Sequence, residues 1–160
     1  MNAAPLIESI AAALQKSKLE AILIGNAAAA LHGAPVTTLD FDFCYRQTDL
    51  NETKLVDFAE VLGATLSRPH EPVSRLIRVE DPARGLQVDF LDDLSINLQF
   101  ASVRSRATEV SIGGRVLIVA SLDDIIEGKK KANRPKDQAV LHVIESTRDE
   151  IESRRNDQRE

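Results

Sequence analysis

The chain has 160 residues, enough for one domain with one substantial core. It is 43% hydrophobic and 28% charged, with 4% aromatic residues, no tryptophan and a net charge of −5. This excludes a broad basic grip on nucleic acid and an extended base-stacking surface, while leaving room for a local basic cluster that meets phosphate. Cys44 is the only cysteine, so neither an intrachain disulfide nor a cysteine-built zinc site is available. The N-terminal stretch MNAAPLIESIAAALQKS lacks a basic leader and carries Glu8 within its apolar part. No apolar run approaches the ~18 residues of a membrane span. The expectation is a cytoplasmic protein that makes no membrane contact.

In chain order, Leu6, Ile7, Ile10 and Leu14 recur at helical spacing behind Pro5, which predicts a helix ending near Ser17. EAILIG reads as a short buried strand stopped by Gly25. An alanine-rich helix spans Asn26 to Leu31 and is ended by Gly33 and Pro35. TLDFDFCY is a strand. NETKLVDFAEVLG is a helix capped by Asn51 and closed by Gly63. Three strands follow, near residues 64–67, 73–80 and 86–91, with EDPARG as the hairpin turn between the last two. The stretch from there through Arg106 has no defined pattern. TEVSIGGRVLIVA gives two strands about Gly113 and Gly114, and SLDDIIEGKKKA a helix capped by Ser121 with acids in its first turn. A last helix starts at Pro135. The expected architecture is α/β (α+β): a small mixed, twisted sheet flanked by helices, one domain over residues 1–150. The tail over 151–160 has almost no apolar face and is expected to fray.

The stretch LDFDFCY carries the chemistry. Side chains alternate along a strand, so Asp40, Asp42 and Cys44 share one face while Leu39, Phe41, Phe43 and Tyr45 share the other. Two residues of strand separate the acids by about 6.6 Å. Such carboxylates repel unless a cation holds them. In GLQVDFL, Asp89 projects between Val88 and Phe90 in the same way. Three carboxylates on adjacent strands make a hard oxygen site for magnesium, suited to phosphoryl or nucleotidyl transfer. The plainer reading is an edge pair of solvated acids. The Gly25–Asn26 turn leads a strand straight into a helix and offers backbone N–H groups to an anion; its plainer reading is an ordinary turn with Asn26 as cap.

In KKKANRPK, Lys129, Lys130, Lys131, Arg134 and Lys136 form either a solvated helix end or a contact for phosphate or nucleic acid. Asp137 either tethers a nearby backbone or pairs with Arg134. Cys44 reads as a small buried side chain. His32, His70 and His142 lack metal spacing, and His32 has a capping or packing role at a helix end. Asp92 and Asp93 read as loop or cap residues.

Together, LIGNAAAALHGAPVTTLDFDF, GLQVDFL and KKKANRPKDQAVLHVI resemble the nucleotidyltransferase superfamily, in particular its small bacterial minimal and abortive-infection-type members. The resemblance covers roughly Ile22 to Ile144. It implies Asp40, Asp42 and Asp89 as catalytic metal ligands, with Asp89 helping to activate the acceptor hydroxyl. It implies Gly25 and Asn26 facing the nucleotide phosphates, and Lys130, Arg134, Lys136 and Asp137 forming the C-terminal motif. The implied activity is magnesium-dependent transfer of a nucleoside monophosphate from an NTP to a hydroxyl on protein, RNA or a small molecule. A toxin–antitoxin or phage-defence setting with an antitoxin partner is implied by the family alone. Asn26 stands where relatives carry Gly or Ser, and Val36 where many carry Arg. These departures support the alternative, a non-catalytic nucleotide-binding or protein-interaction module that keeps the fold.

Overall fold

All four residues of β1 (Ala21–Ile24) are buried. A strand apolar on both faces belongs inside a sheet. In the computed structural model, which describes residues 4–92 and 98–160, β1 lies between β2 (Asp40–Tyr45) and β7 (Arg115–Val119). With β3 (Thr65–Ser67), β4 (Ile77–Asp81), β5 (Leu86–Leu91) and β6 (Thr108–Ile112), they form a seven-stranded sheet in the order β3-β4-β5-β2-β1-β7-β6. The pairs β2–β5 and β1–β7 are parallel and the rest antiparallel, so the sheet is mixed, as predicted.

Helices cover this sheet: α1 (Ala4–Ser17), α2 (Gly25–Leu31), α3 (Asp49–Leu62), α4 (Phe100–Arg106), α5 (Leu122–Ala132) and α6 (Pro135–Asp157). Helix α1 buries Ile7, Ile10, Ala11 and Leu14 and packs on α3, while α5 packs on α6. Within the core Phe90 stacks on Phe43 at 5.6 Å and meets Phe58 edge-on at 5.2 Å. Among the described residues no helix is long and apolar enough to cross a membrane.

Several expectations are corrected. Helix α3 is capped by Thr48, whose side chain accepts from the Asn51 N–H. Asp49 and Glu52 in the first turn favour this earlier start, and Asn51 instead donates from Nδ2 to the Arg46 carbonyl. Strand β4 begins at Ile77, not near residue 73, because Val73 is 94% exposed in the preceding turn. The undefined stretch before Arg106 contains α4, whose inward residues are Phe100 and Val103. Two inward positions are too few to show a period, and Arg46 lying 4.6 Å from the Phe100 ring centroid helps fix the helix. Helix α6 continues to Asp157, against the expected fraying from residue 151. Ile151 packs against the core, and Arg154 and Arg155 suit a helix C-terminus. His32 caps α2, and its Nε2–H donates to the Ala120 carbonyl at 2.7 Å.

Candidate active site

Register across the sheet builds the site. Ile24 pairs with Asp42, Asp42 with Asp89, and Asp89 with Arg78. Directly paired residues project to the same side, so these four make one row across β1, β2, β5 and β4. Asp40, two positions before Asp42, shares that side. The sequence-predicted acids therefore lie on one sheet face.

Gly25 follows Ile24 with φ of +69°. A Cβ there would sit 3.1 Å from Asp42 Oδ2. Both the left-handed backbone and the close approach to the carboxylate require glycine. No donor meets the Asp42 side chain among the described residues. Burial, followed by the charges of Asp89 and Asp40, raises its pKa from 3.8 to about 6, against a smaller opposing effect of Lys136 and Lys129. Asp89 has the opposite setting. Arg78 donates to it from Nε to Oδ1 at 2.8 Å and from Nη2 to Oδ2 at 3.0 Å, and Gln87 Nε2 donates to Oδ2 at 3.3 Å.

A cleft of about 430 Å³ opens beside Asp42 and Gly25, with Lys129, Arg134 and Asp137 on its other side. Asp137 is 2% exposed and closes the start of α6. It accepts from the Arg134 backbone N–H at 3.2 Å and from Arg134 Nε at 2.7 Å, with Lys129 Nζ 3.6 Å away. Both sequence readings of Asp137, backbone tether and partner of Arg134, hold at once. Burial pushes its pKa up, but the hydrogen bonds and charges of Arg134, with the charge of Lys129, outweigh this and hold it below the usual value. Burial lowers the pKa of Lys129, with Asp137 opposing. A larger, mostly apolar cleft of about 840 Å³ lies among α1, α2 and the β6–β7 turn. Of the predicted site residues, Gly25, Asp42 and Arg134 line the smaller one, together with Lys129 and Asp137.

Two predicted residues sit differently. Lys130 turns away and pairs with Glu145 of α6 at 3.2 Å. Lys129 takes the cleft instead, because it follows Leu122, Ile125 and Ile126 on the inward stripe of α5. Asn26 is not the cap of α2: the helix starts at Gly25, the cap position is Ile24, and no side chain caps it. The Asn26 Oδ1 is buried without a hydrogen-bond partner. Lys136 is exposed, and its charge reaches Asp42. Cys44 is fully buried, with its Sγ 4.0 Å from the Asp92 carbonyl. Asp93 lies outside the described residues.

Sequence reading missed Arg78 and preferred Lys130 to Lys129. Both were recoverable. Once the hairpin turn is set at EDPARG, counting outward from Asp81 and Leu86 pairs Arg78 with Asp89. Helical spacing from Leu122 picks Lys129.

The donor chemistry fits a hard divalent cation. Among the described residues the carboxylates of Asp40 and Asp42 meet no hydrogen-bond donor, and a cation would offset the burial and the acid charges that raise Asp42. The third acid is engaged by Arg78, and no group of three or more His, Cys, Asp or Glu residues able to hold a metal is assembled among the described residues.

No family model and no curated protein matches the chain. Solved structures do. The chain is similar to the antibiotic-resistance factor ANT(2'')-Ia at 18% identity and TM-score 0.61, covering 98% of this chain and 94% of that one. It is similar to an antigenic nucleotidyltransferase-like protein from Paracoccidioides brasiliensis at 16% identity and TM-score 0.63, covering 91% and 74%. It is also similar to the lincosamide antibiotic adenylyltransferase LnuA at 12% identity and TM-score 0.58, covering 84% and 90%. The fold is therefore nucleotidyltransferase-like.

Proposed function

We propose that the cleft between β2 and α5 binds an NTP and transfers its nucleoside monophosphate to a hydroxyl acceptor. The observation that carries this reading is the pairing of Gly25 with Asp42: a side-chain-free turn lies against a raised carboxylate, with Lys129 and Arg134 across the cleft. A triphosphate placed there meets backbone at Gly25 and cations from α5 and the start of α6. Lys129 and Lys136 offset its charge as the leaving pyrophosphate departs. Asn26, with an unpartnered Oδ1, would turn its side-chain amide to donate to phosphate. Magnesium, held by Asp40 and Asp42 with Asp89 as third ligand, would supply charge neutralisation of the phosphates. Asp89, the register partner of Asp42, would accept the acceptor hydroxyl's proton.

A small hydroxylated molecule is the first acceptor class to test. One similar structure contains adenylyl-2''-tobramycin on ANT(2'')-Ia and another is LnuA bound to lincomycin. The experiment incubates the protein with each α-labelled NTP and magnesium, then examines small hydroxylated compounds, RNA and protein for label. Label that appears with wild type and is lost in Asp42→Asn supports the reading. No transfer and no magnesium-dependent NTP binding would overturn it and favour the non-catalytic module, which the engagement of Asp89 by Arg78 also favours. The toxin–antitoxin setting rests on the sequence resemblance, and a co-purifying partner that abolishes transfer would support it.

A further inference from the structure

Of the three acids in the candidate site, one is treated differently from the others. Among the described residues the carboxylates of Asp40 and Asp42 meet no donor, whereas that of Asp89 has three from two residues. The Arg78–Asp89 pair is largely withdrawn from water, with side-chain exposures of 24% and 9%. Its two-pronged geometry is the strong form of a guanidinium–carboxylate contact, and a single lysine charge cannot reproduce it. It also lies within the acid row, since Asp89 is the register partner of Asp42 on one side and Arg78 on the other.

We propose that Arg78 is a positioning residue that competes with a divalent cation for Asp89. Without metal, the third carboxylate is parked on Arg78. A cation held by Asp40 and Asp42 recruits Asp89 only by breaking the two-pronged contact. Arginine stays charged across the physiological range, so the exchange is governed by the cation and its nucleotide. The fork also accounts for Asp89 being only 7% exposed beside two other acids. This inference rests on the magnesium-dependent reading above.

The test is Mn²⁺ titration by calorimetry, without nucleotide, on wild type, Arg78→Gln, Asp89→Asn and the double variant. Arg78→Gln is expected to bind Mn²⁺ about tenfold more tightly than wild type. In the Asp89→Asn background the same change is expected to gain about threefold or less, because no parked carboxylate is left to release. Equal affinity in a folded Arg78→Gln protein, or the same gain in both backgrounds, overturns the proposal: Arg78 then acts only as a general charge. Should Arg78→Gln fail to fold, Arg78→Lys keeps the charge without the fork, and unchanged affinity there overturns the proposal equally. Magnesium-dependent NTP binding by wild type with a flat response to Arg78 substitution removes this inference alone. Absence of cation binding in every variant, with or without NTP, removes the parent reading as well.

Discussion

On one face of β2 and β5, Phe41, Phe43, Val88 and Phe90 are each no more than 2% exposed, and two of the rings stack. On the other face of the same strands, the carboxylates of Asp40 and Asp42 meet no donor among the described residues, and Asp89 is held by an arginine from the next strand. The backbone and register are shared, and only alternate positions differ. On the apolar face Phe43, Tyr45 and Phe58 gather around Phe90, and the Tyr45 hydroxyl is buried without a hydrogen-bond partner among the described residues. The acidic face is less settled: burial and the charges of Asp89 and Asp40 raise Asp42, and the Gly25 turn lies close against it. A carboxylate destabilised in this way is found where structure yields to function.

The comparison breaks most easily on the apolar face. Phe90→Ala removes the ring shared by Phe43, Tyr45 and Phe58 and is expected to cost about 3–5 kcal/mol, measured by urea unfolding. A loss below about 1 kcal/mol would mean that this face is not the stabilising one.

The acidic face predicts a change of opposite sign. Asp42 holds its proton up to about pH 6 in the fold but only to about 3.8 when unfolded. The folded state therefore binds more protons between those values, and stability falls as pH rises through that window, then stays level. Asp42→Asn removes this penalty. It is expected to stabilise the protein at pH 7 by on the order of 2 kcal/mol, to flatten the pH dependence of Tm, and to abolish the rise in Tm with magnesium. A strongly destabilised Asp42→Asn protein would make the acid structural.

Helix α5 repeats the contrast within three adjacent lysines. Lys129→Ala is expected to weaken magnesium–NTP binding about tenfold. Lys130→Ala removes only the exposed pair with Glu145, so it should leave binding alone and cost under about 1 kcal/mol of stability. Equal effects on titration of the two variants with a fluorescent NTP would contradict the inward assignment of Lys129.

The smallest effect is at Asn26. With no cap to lose and a buried unpartnered oxygen to remove, Asn26→Ala is expected to be neutral or up to about 1 kcal/mol more stable in thermal melts. Weaker NTP binding in the same variant would sharpen the contrast between stability and function. Unchanged binding would take Asn26 out of the site.

Alternation in LDFDFCY and LQVDFL is local, so the strands, their two faces and all three acids were legible in the sequence. So were the Gly25 turn, the Ser121 cap and the final hairpin. What escaped depends on pairing or on short signals. Arg78 matters only because β4 lies beside β5. Helix α4 shows two inward residues, and Thr48 outcompetes Asn51 as a cap through backbone conformation. The continuation of α6 depends on Ile151 reaching the core, which its charged composition conceals.

The central parallel pair has a consequence for how the chain assembles. Asp42 and Asp89 are neighbours across β2 and β5, yet 47 positions separate them in the chain. The β4–β5 and β6–β7 hairpins close over short turns, whereas joining β5 to β2 requires closure of the entire intervening loop. Arg78 and Asp89 belong to one hairpin and meet early. Asp89 and Asp42 meet only when that hairpin docks on the sheet centre. The register thus brings the guanidinium to Asp89 within one hairpin, whereas the mutually repelling carboxylates meet across the long closed loop.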